Sequence, residues 1–295
     1  MFSRKRKKLK TKKINAMKKI LLPLAFLLLL SNQTKATQWM TSFEDAQKLA
    51  VATNKFILID FWATWCGPCK RMDSESWSDA EVQSLMSAFV PLKVDIDVQR
   101  KLSLKYNIKS IPDVYIIDPN GEVVIQRKSY MNKSQVIQLL KKFTYGTQFM
   151  QKDYLNYLKT KSGDNALKIA EKYYDYSIYV DKKVKNDFLG LANRYLKLTN
   201  KHYKKEGNKK KNSQRIALYE DAYKYLIRGD FKKTIKKLSS NFKEDKIASE
   251  NKGLYNFLYF TAYNKLNDKD NARIWYNKLK TSKNYKSLLI KSRKF

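Results

Sequence analysis

The chain carries two cysteines, Cys66 and Cys69, separated by Gly67 and Pro68. A dithiol at this spacing can close into a small disulfide ring and open again, so its first chemistry is thiol–disulfide exchange. One sulfur attacks a foreign disulfide, and the second resolves the mixed disulfide that results. A metal knuckle needs further ligands, and the chain offers a single histidine, His202, in a lysine-rich loop where it reads as a surface residue. The expected site therefore holds no metal, and no cofactor beyond the redox-active Cys66–Cys69 pair.

Attack requires a thiolate, and the surrounding residues show how one is made. Lys55-Phe-Ile-Leu-Ile-Asp-Phe61 is an apolar, β-rich run of strand length. After Trp62-Ala63-Thr64, the motif Trp65-Cys66-Gly67-Pro68-Cys69-Lys70 opens a helix. The amino end of a helix favours negative charge, so Cys66 is expected to be the exposed attacking sulfur, with a pKa below the ~8.5 of a free thiol. Cys69 is then the resolving one.

Ile57-Leu58-Ile59-Asp60-Phe61-Trp62-Ala63, followed by Trp65-Cys66-Gly67-Pro68-Cys69-Lys70, closely resembles the thioredoxin family. The resemblance runs from the helix-like segment beginning at Ser42 to the helix-like Ser134–Phe143. The Cys-Lys-Arg-Met-Asp stretch, the Trp77-Ser78-Asp79 turn and Val90-Pro91-Leu92-Lys93-Val94-Asp95 are most similar to the exported branch of the superfamily, which includes the terminal domain of thiol:disulfide interchange proteins. The resemblance implies an α/β thioredoxin fold, a central mixed sheet flanked by helices.

It also implies roles for individual residues. Asp60 takes the place of the buried carboxylate behind the dithiol, and Lys93 that of its partner. A carboxylate in an apolar strand has a raised proton affinity and, through a water, can take the proton from Cys69 as that thiol attacks. The alternative is a purely structural Asp60–Lys93 ion pair. Ile111-Pro112 matches the cis-proline whose loop faces the dithiol and lends the backbone of Ile111 to an extended substrate. Trp65 shapes the approach to Cys66, and Gly67-Pro68 between the cysteines is similar to the reducing members. Asp118-Pro-Asn-Gly-Glu122, between two apolar runs, reads as a β-hairpin. Two positions depart from the family. Ser74 stands where a kinking proline is common, which predicts a straighter helix. Ser129 stands where a groove glycine is common, which predicts a narrower substrate channel.

The 295 residues are 43% hydrophobic with few glycines and prolines, which supports two packed domains and excludes global disorder. The net charge of +34 is unevenly spread. Residues 1–36 hold 11 basic and no acidic residues, 37–147 hold 14 and 12, and 148–295 hold 36 and 15. The break near Tyr145-Gly146-Thr147 separates a thioredoxin-like domain, 37–147, from a Lys/Tyr-rich domain, 148–295. Within residues 1–36, a basic leader precedes Met17-Lys-Lys, the apolar run Ile20–Leu30 and a small residue at Ala36, the three parts of a secretory signal peptide. The run is short for a membrane span, although a buried helix or uncleaved anchor also fits. Read as a signal, it places the protein in a periplasmic or otherwise extracytoplasmic space where disulfides persist.

Residues 148–295 show Leu/Ile/Tyr at helical spacing and no strand pattern, so this half is expected to be all-α. Tyr219–Ile235 resembles a helix-turn-helix of the tetratricopeptide kind, and Tyr255–Tyr276 repeats the plan. Equating Thr234 with Ala272 gives a 38-residue offset, against about 34 for regular repeats; an irregular bundle is equally compatible. The lysine excess reads as a solvated coat or as a surface for an anionic partner. With arginine scarce, no specific nucleic acid is expected.

Together these readings point to an exported thiol:disulfide oxidoreductase, an enzyme that reduces or exchanges disulfides in extracytoplasmic proteins. Its helical half binds or positions partners. The implied partners are disulfide-containing proteins and an upstream electron donor, membrane-bound. The alternatives are a helical interaction scaffold that uses the thioredoxin-like domain for docking, or a disulfide oxidase or isomerase that differs in redox poise.

Overall fold

Strand β1 (Phe56–Trp62) is apolar apart from Asp60 and buried along nearly its whole length, because it is paired on both sides. It runs parallel to β2 (Phe89–Asp95) and antiparallel to β3 (Asp113–Ile117), and β3 pairs antiparallel with β4 (Val123–Lys128). The sheet order is β2-β1-β3-β4, the mixed sheet of a thioredoxin fold. This computed structural model describes residues 38–295, so the basic leader and signal-peptide reading lie outside the described residues.

Helices α1 (Phe43–Thr53), α2 (Gly67–Met72), α3 (Ala80–Met86), α4 (Arg100–Lys105) and α5 (Lys133–Lys142) flank the sheet. Alternation along β1 divides the packing. Ile57, Ile59 and Phe61 meet Ala46 and Ala50 of α1 and Tyr106 beyond α4. Phe56 and Leu58 share the other core with Met72, Val82, Met86, Val136 and Leu140. Caps fix where helices begin: Ser42 accepts from the Asp45 amide, and Asn132 with Gln135 forms a reciprocal capping box.

The active-site helix is not the straight element expected from Ser74. After α2 the chain widens into a π-helical turn, Asp73–Trp77. The Ser74 hydroxyl donates to the carbonyls of Lys70 and Arg71, and that of Ser78 to the Ser74 carbonyl. Such side-chain bonds compete with the regular ladder, so serines accompany a widened turn where the family commonly has a kinking proline.

The second half is helical, with no strand among the described residues beyond 147: α6 (Gln151–Lys159), α7 (Gly163–Tyr179), α8 (Lys182–Lys205), α9 (Ser213–Ala217), α10 (Lys224–Ile227), α11 (Phe231–Asn241), α12 (Ser249–Lys265), α13 (Lys269–Lys280) and α14 (Tyr285–Ser292). A π-helical turn, Leu218–Tyr223, joins α9 to α10. His202 belongs to α8 rather than to a loop, and its Nε2 lies 3.0 Å from the Tyr157 hydroxyl. The starts of α11 and α13 share a construction: a left-handed residue, Gly229 or Asn267, then an Asp cap, then a buried Thr234 or Ala272. Gly163 is required at the start of α7, since a Cβ there would lie 2.2 Å from the Tyr203 ring.

Trp39–Phe295 form one compact unit. Phe188 of α8 is central to it, packing against Phe56 and Phe143 on one side and Tyr145, Tyr173 and Tyr176 on the other. Helix α8 also covers the edge strand β4, where Arg194 donates to the Val123 carbonyl at 3.1 Å. An edge that would otherwise offer unpaired backbone is closed from within the chain.

Candidate functional site

Cys66 and Cys69 are joined in a disulfide at the start of α2. Cys66 is the N-cap residue, and its Sγ accepts the Cys69 amide proton at 3.2 Å. The same amide would stabilise a Cys66 thiolate after reduction. Both cysteines are buried, Cys66 at 3% exposure, packed with Ala63 and flanked by Trp62, Ile96 and Ile111. In this oxidised state Cys66 is therefore not the exposed sulfur expected from its place in the motif. The large exposed side chain beside it is Trp65, at 66%, whose indole N–H donates to Asp97 Oδ2 at 2.8 Å.

Gly67 and Pro68 form the exposed first turn of α2, where a missing proline N–H costs no hydrogen bond. Nothing lies within 4 Å of a Cβ placed on Gly67, so no close approach demands glycine there. The Ile111–Pro112 peptide is cis. Its loop is tied to the far side of the groove by the Ser129 amide, which donates to the Pro112 carbonyl at 2.9 Å. Ser129 itself sits at φ 75°, the left-handed region where glycine is favoured.

Asp60 and Lys93 are register partners across β1 and β2. Asp60 is 2% exposed, and among the described residues its Oδ1 has no hydrogen-bond partner. Burial pushes its pKa up to about 6; Lys93 opposes this and the charge of Asp73 adds to it. The Lys93 ammonium lies 3.6 Å from Asp60 Oδ2 but forms its hydrogen bond to Asp73 Oδ1. It also faces the rings of Trp62 and Trp39 at 5.0 and 5.5 Å. The lysine is thus shared between two carboxylates, and Asp60 keeps a high proton affinity beside a cation.

Sequence reasoning missed Asp73 and Trp39 as members of this group. For Asp73 the signal was present: it stands four residues after Cys69, one helical turn along α2. Trp39 had no local signal, since a single parallel bridge from Met40 to Leu92 places it. Asp113, directly after the cis-proline, was also missed. It is buried, with a pKa pushed up to about 6 by burial, and both of its oxygens accept from Gln126 Nε2.

The thioredoxin family model matches residues 38–142. Thioredoxin of Mycoplasma pneumoniae is 34% identical over 89 residues, 30% of this chain and 83% of its own length. The chain belongs to the thioredoxin family. Thioredoxin-1 of Drosophila melanogaster is 39% identical over 74 residues, 25% of this chain and 67% of its own. Among solved structures, the reduced C-terminal domain of DsbD from Neisseria meningitidis aligns with 19% identity and a TM-score of 0.31, covering 34% of this chain and 92% of that one. In this family member the redox pair is Cys66–Cys69, and the helices after residue 147 lie beyond the matched segment.

Proposed function

We propose that this protein is a thiol:disulfide oxidoreductase that reduces, or exchanges, disulfides in extracytoplasmic proteins. The observation that carries the reading is the placement of Cys66–Cys69 at a helix amino end beside the cis Ile111–Pro112 peptide. In the reducing direction the Cys66 thiolate attacks a substrate sulfur, a mixed disulfide forms and one substrate thiolate leaves. Cys69, giving its proton to the Asp60 carboxylate, then attacks Cys66 Sγ. The second substrate sulfur departs as a thiolate that takes a proton from solvent, as the first did, and the electron pair of the dithiol has passed to the substrate.

Turnover then needs a donor that returns two electrons to Cys66–Cys69, and we assign that role to a membrane-bound partner outside the cytoplasm. The helical half, which contributes no thiol, positions partners. The test is insulin reduction with dithiothreitol as donor, together with capture of mixed-disulfide partners by Cys69→Ser in cell extracts. Catalysed reduction and captured extracytoplasmic proteins are the expected results. A wild-type rate equal to dithiothreitol alone overturns the enzymatic reading.

A further inference from the structure

Arg127 and Lys128 at the end of β4 and Lys142 at the end of α5 surround a recess of about 240 Å³, with Gln135 and Gln138 on its rim and Tyr130 in its wall. Among the described residues none of the three cations forms an ion pair, unlike Lys93, Lys133 and Lys141 of the same domain. Two carboxylates face them: Asp187 of α8, half-buried and near both Arg127 and Lys142, and buried Asp113, near Lys128. Glu75 accepts from the Tyr130 hydroxyl and lies 3.9 Å from Arg71, while buried Asp113 is held by Gln126. The recess is therefore cationic on balance. Residues 37–147 carry nearly equal numbers of acidic and basic residues, so this clustering does not follow from the lysine coat of the other half.

Its position joins it to the redox site from two directions. Lys128 pairs with Asp113, the residue after cis-Pro112, and the next residue, Ser129, donates to the Pro112 carbonyl. From the other side Arg71, two residues after Cys69, lays its guanidinium over the Tyr130 ring at 4.1 Å. A polypeptide lying on the cis-proline loop with its disulfide at Cys66 would have this recess beside it, through the Asp113–Lys128 pairing and the Ser129–Pro112 bond. Its size suits a carboxylate side chain, and Arg127 can accept one through paired N–H donors.

We propose that this recess selects disulfides flanked by an aspartate or glutamate in the partner polypeptide, an inference that rests on the disulfide-reducing reading above. The test uses the full chain, reduced and freed of reductant, in single turnover. Its substrates are two synthetic peptides with the same intramolecular disulfide, one flanked by Glu-Glu and the other by Gln-Gln. Each turnover converts the Cys66–Cys69 dithiol to the disulfide and the peptide disulfide to two thiols, so no further reductant is needed. Wild type should reduce the acidic peptide faster by about fivefold, a ratio typical of one or two exposed ion pairs. In the triple variant Arg127→Gln, Lys128→Gln, Lys142→Gln the ratio should fall to within about twofold. A charge-matched control, Lys232→Gln, Lys236→Gln, Lys243→Gln, alters exposed lysines of the helical half and should keep it. Because the ratio is internal to each variant, a general loss of activity does not imitate the effect. Equal reduction of both peptides by wild type, or an equal drop in both triple variants, overturns the recess alone; reduction of neither peptide overturns the disulfide-reducing reading and the recess with it.

Discussion

Asp60 lies within β1 and Asp118 directly follows the neighbouring strand β3; both are buried carboxylates, and they are housed in opposite ways. Asp60, on the strand that delivers the dithiol, has a cation 3.6 Å away and an oxygen with no partner among the described residues. Asp118, just past the hairpin end of β3, has no ion-pair partner among the described residues and both oxygens engaged. Its Oδ1 accepts the amides of Asn120 and Glu122 at 3.0 and 2.9 Å, and its Oδ2 accepts the hydroxyls of Tyr173 and Tyr195 at 3.2 and 2.5 Å. Burial raises both proton affinities, Asp60 to about 6 and Asp118 to about 7. Saturation by donors ties Asp118 to the seam between sheet and helices, whereas the under-satisfied Asp60 has capacity for a proton in transit.

The largest effect should come from Asp60→Asn. Removing a general base costs about 10²-fold or more in the step it serves, so resolution of the mixed disulfide should slow by that factor at pH 8. The sign with pH follows from the carboxylate being the active form. The wild-type rate should fall as pH drops through about 6, while the variant lacks that limb and the two converge in acid. Stability should move the other way, because an under-solvated charge is replaced by a neutral amide. Stopped-flow resolution rates and urea unfolding check the two halves of this prediction; an unchanged rate at pH 8 would reduce Asp60 to an ion-pair partner of Lys93.

Asp118→Asn should reverse that pattern, losing stability and keeping the rate. An amide presents an N–H where Asp118 accepts, leaving a buried donor opposed to a donor at a cost of about 1–3 kcal/mol. The pH dependence has a definite sign. The folded-state pKa of about 7 lies above the ordinary carboxylate value, so the native protein binds more protons than the unfolded chain between them. Wild-type stability attributable to Asp118 is present in acid and is lost as pH rises toward and through 7. The variant lacks this slope, so its deficit should be larger at pH 5 than at pH 8. Urea unfolding at the two values decides it, and an equal deficit would mean that Asp118 does not titrate there.

The contrast also separates what the sequence made legible from what it did not. Asp60 could be located because its neighbours, Ile57 to Trp62, form a local pattern that ends at the cysteines. Pro112 and the hairpin around Gly121 were likewise visible through turn chemistry and resemblance. Asp118 was read only as a turn residue, since its hydroxyl partners stand 55 and 77 residues further on. Phe188 gave no sign of its place between the two halves for the same reason: helical periodicity reports that a face is buried, not what covers it. The π-helical turn at Asp73–Trp77 escaped because proline was the only helix-bending signal considered, and paired serine hydroxyls did the work.

Asp73→Asn sharpens the comparison from within the redox end. The Asp73 charge raises the proton affinity of Asp60 and holds the Lys93 hydrogen bond. Removing it deletes a repelling charge and frees the ammonium to turn toward Asp60, and both changes lower the Asp60 pKa. The acid limb of the rate profile should move to lower pH, with the plateau changed by only a few-fold. A shift to higher pH would show that Lys93 leaves the site without its Asp73 anchor.

The smallest effect concerns how the two ends spend backbone strain. At the hairpin, Gly121 takes φ 91° at no steric cost, whereas beside the cis-proline Ser129 takes φ 75°. The other described non-glycine residues at positive φ are all asparagines, which tolerate that region better. Among the described residues the exposed Ser129 hydroxyl forms no hydrogen bond that offsets the conformation; the backbone N–H that donates to Pro112 at 2.9 Å is one any residue but proline supplies. Left-handed backbone costs a residue with a Cβ about 1–2 kcal/mol, and glycine returns about 0.5–1 kcal/mol of that as unfolded-state entropy. Ser129→Gly should therefore stabilise the protein by about 0.5 kcal/mol, measurable as a shift in denaturation midpoint. It should also widen the groove, so reduction of a bulky protein disulfide should rise relative to a short peptide. If Ser129→Gly instead loses stability, the side chain contributes packing that offsets its strain, and the redox end is as fully satisfied at this position as the hairpin end is at Asp118.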